Sequence, residues 1–133
     1  MELLEELVVE RGMRSSYPED DIRALVEHTA LDVSTVNGYE IQAFDGFSEA
    51  ATIEYYLFPK ENAGYIGWLE VAEKWRQKGI ATELRERAVD DLVDSGATEI
   101  WSRSVAAELH SVVERQGFEP ADIGLTDYYV YRS

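Results

Sequence analysis

The stretch Arg76-Gln77-Lys78-Gly79-Ile80-Ala81 constrains this chain more than any other. The apolar run before it, Tyr65-Ile66-Gly67-Trp68-Leu69-Glu70-Val71, reads as a strand. From Gly79 to Ser95 the pattern reads as a helix, with Ile80, Leu84, Ala88, Leu92 and Val93 on one stripe and Gly96 at its end. A turn of small residues that opens a helix directly after a strand leaves a row of backbone N–H groups without intrahelical acceptors. Together with the positive end of the helix dipole they form a ready anion site. Five of the twelve Lys and Arg fall between Lys74 and Arg87, although the net charge is −15. The expected ligand is negatively charged, and a phosphate is the first candidate.

The chain has 133 residues and is 45% hydrophobic, enough for one domain, 1–133, with a buried core. With no Cys and only His28 and His110, disulfides, thiolate metal sites and His-rich metal centres are excluded. No apolar run approaches the roughly 20 residues of a membrane span. The acidic start Met1-Glu2-Leu3-Leu4-Glu5-Glu6 lacks the basic opening of a signal peptide, so a cytoplasmic protein is expected. Twenty-seven acidic residues repel nucleic acid, whose binding needs phosphates neutralised by Lys and Arg. Two readings of the charge stand side by side: a halophile's solvated surface, screened by high salt, and an acidic groove for a cationic substrate.

Along the chain there is no internal repeat, low-complexity tract or Pro/Gly-rich linker. Glu5 to Arg11 alternates weakly and reads as a short strand or as a helix begun at Glu2. Ser16-Tyr17-Pro18-Glu19 signals a helix start, and Ile22, Leu25, Val26 and Thr29 share one face of that helix. The turn dipeptides Asn37-Gly38 and Asp45-Gly46 bracket a strand, Tyr39 to Phe44. Ala51 to Phe58 is a second strand, Pro59-Lys60-Glu61-Asn62 a turn and Tyr65 to Val71 a third strand. Short turns between these three predict an antiparallel meander. Thr98 to Ser102 follows a strand and a crossover helix, so it should run parallel to Tyr65–Val71. A last helix spans about Val105 to Gln116 with Leu109, Val112 and Val113 inward; Gly117 closes it, and Phe118 and Leu125–Tyr131 are terminal strands. The expected fold class is α/β: a mixed sheet, an antiparallel meander followed by β-α-β-α and terminal antiparallel strands.

This order, and the loop Arg76-Gln77-Lys78-Gly79-Ile80-Ala81, resemble the GNAT acyltransferase superfamily, whose signature is Arg or Gln, two residues, Gly, one residue, then Gly or Ala. The lead-in Leu69-Glu70-Val71 and the ending Glu114-Arg115-Gln116-Gly117-Phe118 also match, so the likeness covers about Tyr39 to the C-terminus and is expected to extend to the whole chain. The resemblance implies a V-shaped cleft where the strand ending at Val71 splays from the strand ending at Ser102. It implies acetyl-CoA as cosubstrate, with pantetheine pairing against the backbone of Leu69 and Val71 and pyrophosphate on the N–H groups of Gln77, Lys78, Gly79, Ile80, Ala81 and Thr82. Arg76 and Lys78 add positive field, and Gly79 and Ala81 let phosphate approach. Dinucleotide and P-loop readings lack their motifs, since neither Gly-x-Gly-x-x-Gly nor Gly-Lys-Ser/Thr is present.

Acetyl transfer to an amine needs loss of the amine proton, a donor for the oxyanion and stabilisation of the leaving thiolate. The resemblance implies a bulge at Val71, whose N–H becomes the oxyanion donor. Glu70 is the favoured base, with Glu54 second and a water chain a further route. The family's usual acid, a Tyr four residues before Gly-Phe, is Val113 here, and its frequent Asn is Ala106. His110, one turn before Val113, is the favoured acid, with Tyr128, Tyr129 and Tyr131 as other candidates. Trp68, Trp75 and Trp101 can line an acceptor pocket or fill the core. The expected activity is acetyl transfer from acetyl-CoA to a primary amine, a small cationic amine or a peptide amino group, by direct attack in a ternary complex. A CoA-binding module with lost or weak catalysis is the alternative, and an empty structural domain a third. No nucleic-acid or membrane partner is expected, and the terminal strands suit a homodimer.

Overall fold

The computed structural model describes residues 7–14, 19–103, 107–125 and 127–133. The sheet strands are β1 (Val8–Arg14), β2 (Asn37–Asp45), β3 (Ser48–Phe58), β4 (Ala63–Val71), β5 (Glu99–Arg103), β6 (Glu119–Pro120) and β7 (Tyr128–Arg132). The helices are α1 (Glu19–Glu27), α2 (Ile80–Asp94) and α3 (Ala107–Arg115). All seven strands join one sheet in the order β1-β2-β3-β4-β5-β7-β6. Its pairs are antiparallel except β4–β5, which is parallel. The expected meander and parallel crossover are therefore both present.

Strand alternation splits the buried residues between the two faces. On one face Ile41, Ala43, Ile53, Tyr55, Ile66 and Ile100 meet Ile80, Leu84, Ala88 and Leu92 of α2 and Val113 of α3. On the other, Tyr56, Phe58, Tyr65, Trp101 and Val130 meet Ile22 and Leu25 of α1. The sheet is thus covered by α2 and α3 on one side and by α1 on the other. Helix α2 is also tied to the strands by polar contacts. The Tyr55 hydroxyl donates to Asp91 Oδ2 at 2.5 Å, and Arg11 Nε donates to the same oxygen at 2.8 Å. Burial and the Asp91 bond push the Tyr55 phenol well above its ordinary range.

Several boundaries differ from expectation for identifiable reasons. Asn37-Gly38 is not a turn but the start of β2, because Gly38 pairs with Arg14 on one side and Tyr56 on the other. Ladder partners on both flanks override the local turn preference. The first strand is β1, shifted to Val8–Arg14, and the helical alternative from Glu2 begins outside the described residues. The helix-start signal Ser16-Tyr17-Pro18 and the positions Val105 and Ala106 also lie outside them. Phe118 is no strand residue: its N–H donates to Val113 O at 3.0 Å and its side chain is buried. Asp127 has φ 65° and Gly124 φ 81°, so the extended chain starts only at Tyr128. No helix among the described residues is long and apolar enough to cross a membrane.

Candidate active site

The parallel pairing of β4 with β5 ends at Ile66↔Ser102, although β4 continues to Val71. Beyond Ile66 the two strands part, and the backbone of β4 faces a gap on that side. What it presents there follows from the ladder on its other side. The N–H of Ala72 donates to Ala50 O at 2.8 Å, towards β3. Successive residues of a strand send their N–H and C=O groups to alternate sides. Val71 and Leu69 therefore aim theirs into the gap, while Glu70 aims its own at β3. Arg76 supports this: its Nε donates to Val71 O at 2.8 Å across the mouth of the gap.

The bulge expected at Val71 lies elsewhere. Ile53 pairs with Leu69 and Tyr55 with Ile66, so Gly67 and Trp68 together oppose Glu54. Val71 itself pairs regularly with Ala51. Glycine suits the bulge because a Cβ at Gly67 would lie 3.2 Å from the Tyr56 ring. The extra residue also changes which side chains face which way. Leu69 and Val71 pack on the α2 face beside Ile66, and Trp68 and Glu70 project from the other face. Without it, Leu69 and Val71 would share the face of Tyr65.

After β4 a single turn of 3₁₀ helix, Glu73–Trp75, leads into the loop. Gln77 has φ 61° and Gly79 φ 87°, both left-handed. Gly79 is the N-cap of α2 and no side chain caps it. The first hydrogen bond of the helix is Glu83 N–H to Gly79 O at 3.1 Å, so the N–H groups of Ile80, Ala81 and Thr82 have no intrahelical acceptor. Left- and right-handed residues in succession curl such N–H groups into a concave anion cradle. Arg76, Gln77, Lys78 and Gly79 are exposed around it, whereas Ile80 is buried and anchors the helix start. Lys78 Nζ lies 5.5 Å from the Trp75 ring.

The two catalytic candidates do not come together. Glu70 is exposed on the α1 face and lines a cavity of about 280 Å³ with Glu49, Ala50, Ala51 and Ala72. His110 stands half-buried on α3, across the sheet, with its ring 5.5 Å from that of Tyr129. Glu54 projects on the same face as Glu70 and its Oε2 accepts from the Tyr56 hydroxyl at 3.2 Å. Burial, with Glu114 and Asp127 nearby, holds the Tyr129 phenol above its ordinary value. Val113, in the slot of the family's acid, is buried. Of the tryptophans, Trp101 belongs to the core, Trp75 is half-buried and Trp68 is 57% exposed at the bulge.

Sequence reasoning missed Arg85 and Ser102, which meet beneath the point where β4 and β5 part. Arg85 Nη1 donates to Ser102 Oγ at 3.1 Å and its Nε donates to Gln116 Oε1 at 2.9 Å. Gln116 Nε2 in turn donates to Thr82 O at 3.1 Å, linking this cluster to the first turn of α2. A sequence signal existed: Arg85 follows Leu84 on the apolar side of the helical pattern, where a charge is out of place.

An uncapped helix start beside a strand that leaves its parallel neighbour is the arrangement expected of the family named above. The acetyltransferase (GNAT) family model matches residues 4–118. The chain belongs to the GNAT acetyltransferase family. Among solved structures, one similar fold is the IAA acetyltransferase from Bacillus cereus, 17% identical, with a TM-score of 0.65 over 96% of this chain and 99% of that one. Another is a GNAT family acetyltransferase from Elizabethkingia anophelis with acetyl-CoA bound, 10% identical, TM-score 0.66 over 97% and 99%. A third is the ribosomal-protein-S18-alanine N-acetyltransferase from Escherichia coli, 13% identical, TM-score 0.62 over 94% of each chain. Among curated protein sequences none matches.

Proposed function

We propose that this GNAT protein transfers acetyl from acetyl-CoA to a cationic primary amine, by direct attack in a ternary complex. One observation carries the reading: the gap where β4 leaves β5 opens beside the uncapped, left-handed start of α2. A ligand with an extended amide arm and a pyrophosphate suits both at once. Acetyl-CoA bound in the Elizabethkingia neighbour supports that choice. In this reading the N–H groups of Gln77 to Thr82 hold the pyrophosphate. Val71, nearer the loop, pairs with the pantetheine, and Leu69, beside the bulge, donates to the thioester carbonyl.

The acceptor approaches on the α1 face, where Glu54, Glu70 and the exposed Trp68 project. Two carboxylates and an aromatic surface favour a cation over a neutral amine. Glu70 takes the ammonium proton directly or through water, and His110 serves the leaving sulfur from the opposite face. The test is CoA release across a panel of diamines and peptide amines. Glu70→Gln is expected to cut kcat by about 10²-fold and His110→Ala by about tenfold. If neither changes the rate, both assignments fail while the reaction class stands.

The buried Val113 cannot donate a proton, which favours the second reading, a CoA-binding module with weak catalysis. No CoA release above background with any amine would make that reading the correct one.

The charge of −15 is proposed to be a salt-screened surface as well as an acceptor field. The urea midpoint of unfolding should then rise between 0.1 M and 2 M KCl, since about 3 Å of screening length at molar salt quiets the self-repulsion. An unchanged midpoint would refute the halophile-like part.

A further inference from the structure

Among the described residues, and tyrosines and tryptophan aside, the buried polar side chains are Arg85 and Ser102, and they are bonded to each other. Arg85 is only 7% exposed. Its guanidinium lies 5.1 Å from the Phe118 ring, and no described carboxylate pairs with it. Its Nη2 has no hydrogen-bond partner among the described residues. Burial lowers its pKa to about 10, so it stays charged at neutral pH. A buried cation without a counter-charge is costly to a fold, and such a site is where a transient anion finds its best solvation.

The position of Ser102 says which anion. It is the last residue of β5 to pair with β4, at the closed end of the gap in which the proposed function places the thioester. Its Oγ accepts from Arg85, so its own hydrogen is left to point elsewhere. We propose that Ser102 and Arg85 stabilise the leaving thiolate: the Ser102 hydroxyl donates to the sulfur, and Arg85 polarises and orients that hydroxyl from beneath. This inference rests on the acetyl-CoA reading.

In the step, the amine lone pair forms the C–N bond and the C–S bond breaks, with its electron pair going to sulfur. The ammonium proton passes to Glu70 or water. The thiolate leaves as an anion hydrogen-bonded to Ser102 and takes its proton from His110, directly or through water, on release. Arg85 gives up no proton and is a positioning residue. The titratable groups around Tyr129, on the strand next to β5, are His110 and Glu114 on α3 and Asp127 just before β7, whereas Glu70 projects from the opposite face of β4. None of these is a buried permanent cation.

The chain has no cysteine, so thiolate absorbance near 240 nm in its CoA complex reports the CoA thiol alone. Subtracting the same titration with desulfo-CoA cancels tyrosinate. The bound thiol should titrate at least one pH unit below the thiol of free CoA measured in the same buffer. Arg85→Met should remove that shift and cut kcat at least tenfold, with CoA affinity by calorimetry within threefold of wild type. Arg85→Lys should restore part of the shift. Ser102→Ala, which keeps the cation, should lose it too and decides the matter if Arg85→Met does not fold. A wild-type thiol with no lowered pKa, or a shift that survives Ser102→Ala, overturns the proposal. If CoA fails to bind the wild-type chain at all, the acetyl-CoA reading falls first.

Discussion

Gly79→Glu is expected to weaken acetyl-CoA binding by 100-fold or more while the domain stays folded. Gly79 has φ 87°, and a Cβ built on it meets nothing within 4 Å. A side chain there has room but sits in a left-handed conformation, at a cost of roughly 1–2 kcal/mol. The larger effect is electrostatic. A carboxylate at the N-cap competes for the N–H groups of Ile80, Ala81 and Thr82, and it faces the pyrophosphate at close range. Two like charges about 4 Å apart repel by about 4 kcal/mol at the effective dielectric of a protein surface. Gly79→Ala carries the backbone cost without the charge, so its affinity should stay within about tenfold of wild type. Calorimetry at 0.15 M and 1 M KCl separates the terms, because the charge contribution shrinks with salt and the conformational one does not. A folded Gly79→Glu protein that binds acetyl-CoA within threefold of wild type would show that the cradle is not the pyrophosphate site.

The parts of this fold that were legible in the sequence are those in which a local pattern and a tertiary demand agree. Ile80, Leu84, Ala88 and Leu92 recur at helical spacing and are all buried in α2. The loop after β4 was legible because small residues there answer a backbone requirement, and the left-handed Gly79 bears that out. What was hidden depends on partners distant in the chain. Asn37-Gly38 reads as a turn until Arg14 and Tyr56 flank it. The bulge at Gly67–Trp68 is a register difference between two strands, and neither strand records it alone. The bond between Arg85 and Ser102 spans a helix and a strand that become neighbours only after the crossover. The opposite placement of Glu70 and His110 likewise depends on which face each helix covers, which periodicity does not state.

In the proposed mechanism the bulge also selects the amide that matters most, and the second large effect follows from it. Leu69→Pro is expected to lower kcat by about 10²–10³-fold, the usual cost of removing one oxyanion donor. Proline deletes a backbone N–H. In most strand positions that would break the ladder, but the N–H of Leu69 faces the gap and not β3, by alternation from the Ala72–Ala50 bond. Its packing on the α2 face is partial, so the fold should survive. Val71→Pro removes the neighbouring gap-facing N–H, closer to the loop. It should weaken acetyl-CoA binding more than it slows turnover, because the pantetheine contact is made equally in ground state and transition state. Replacing Leu69 by the α-hydroxy analogue of leucine removes the same N–H without a ring and should reproduce the loss, whereas Leu69→Ala, which keeps the N–H, should retain most of kcat. Steady-state rates of CoA release give kcat, calorimetry gives affinity, and thermal unfolding verifies the fold. Should Leu69→Pro and its ester analogue keep the wild-type kcat, the thioester carbonyl lies elsewhere, and a larger loss at Val71 would move it to the residue that the family resemblance implies.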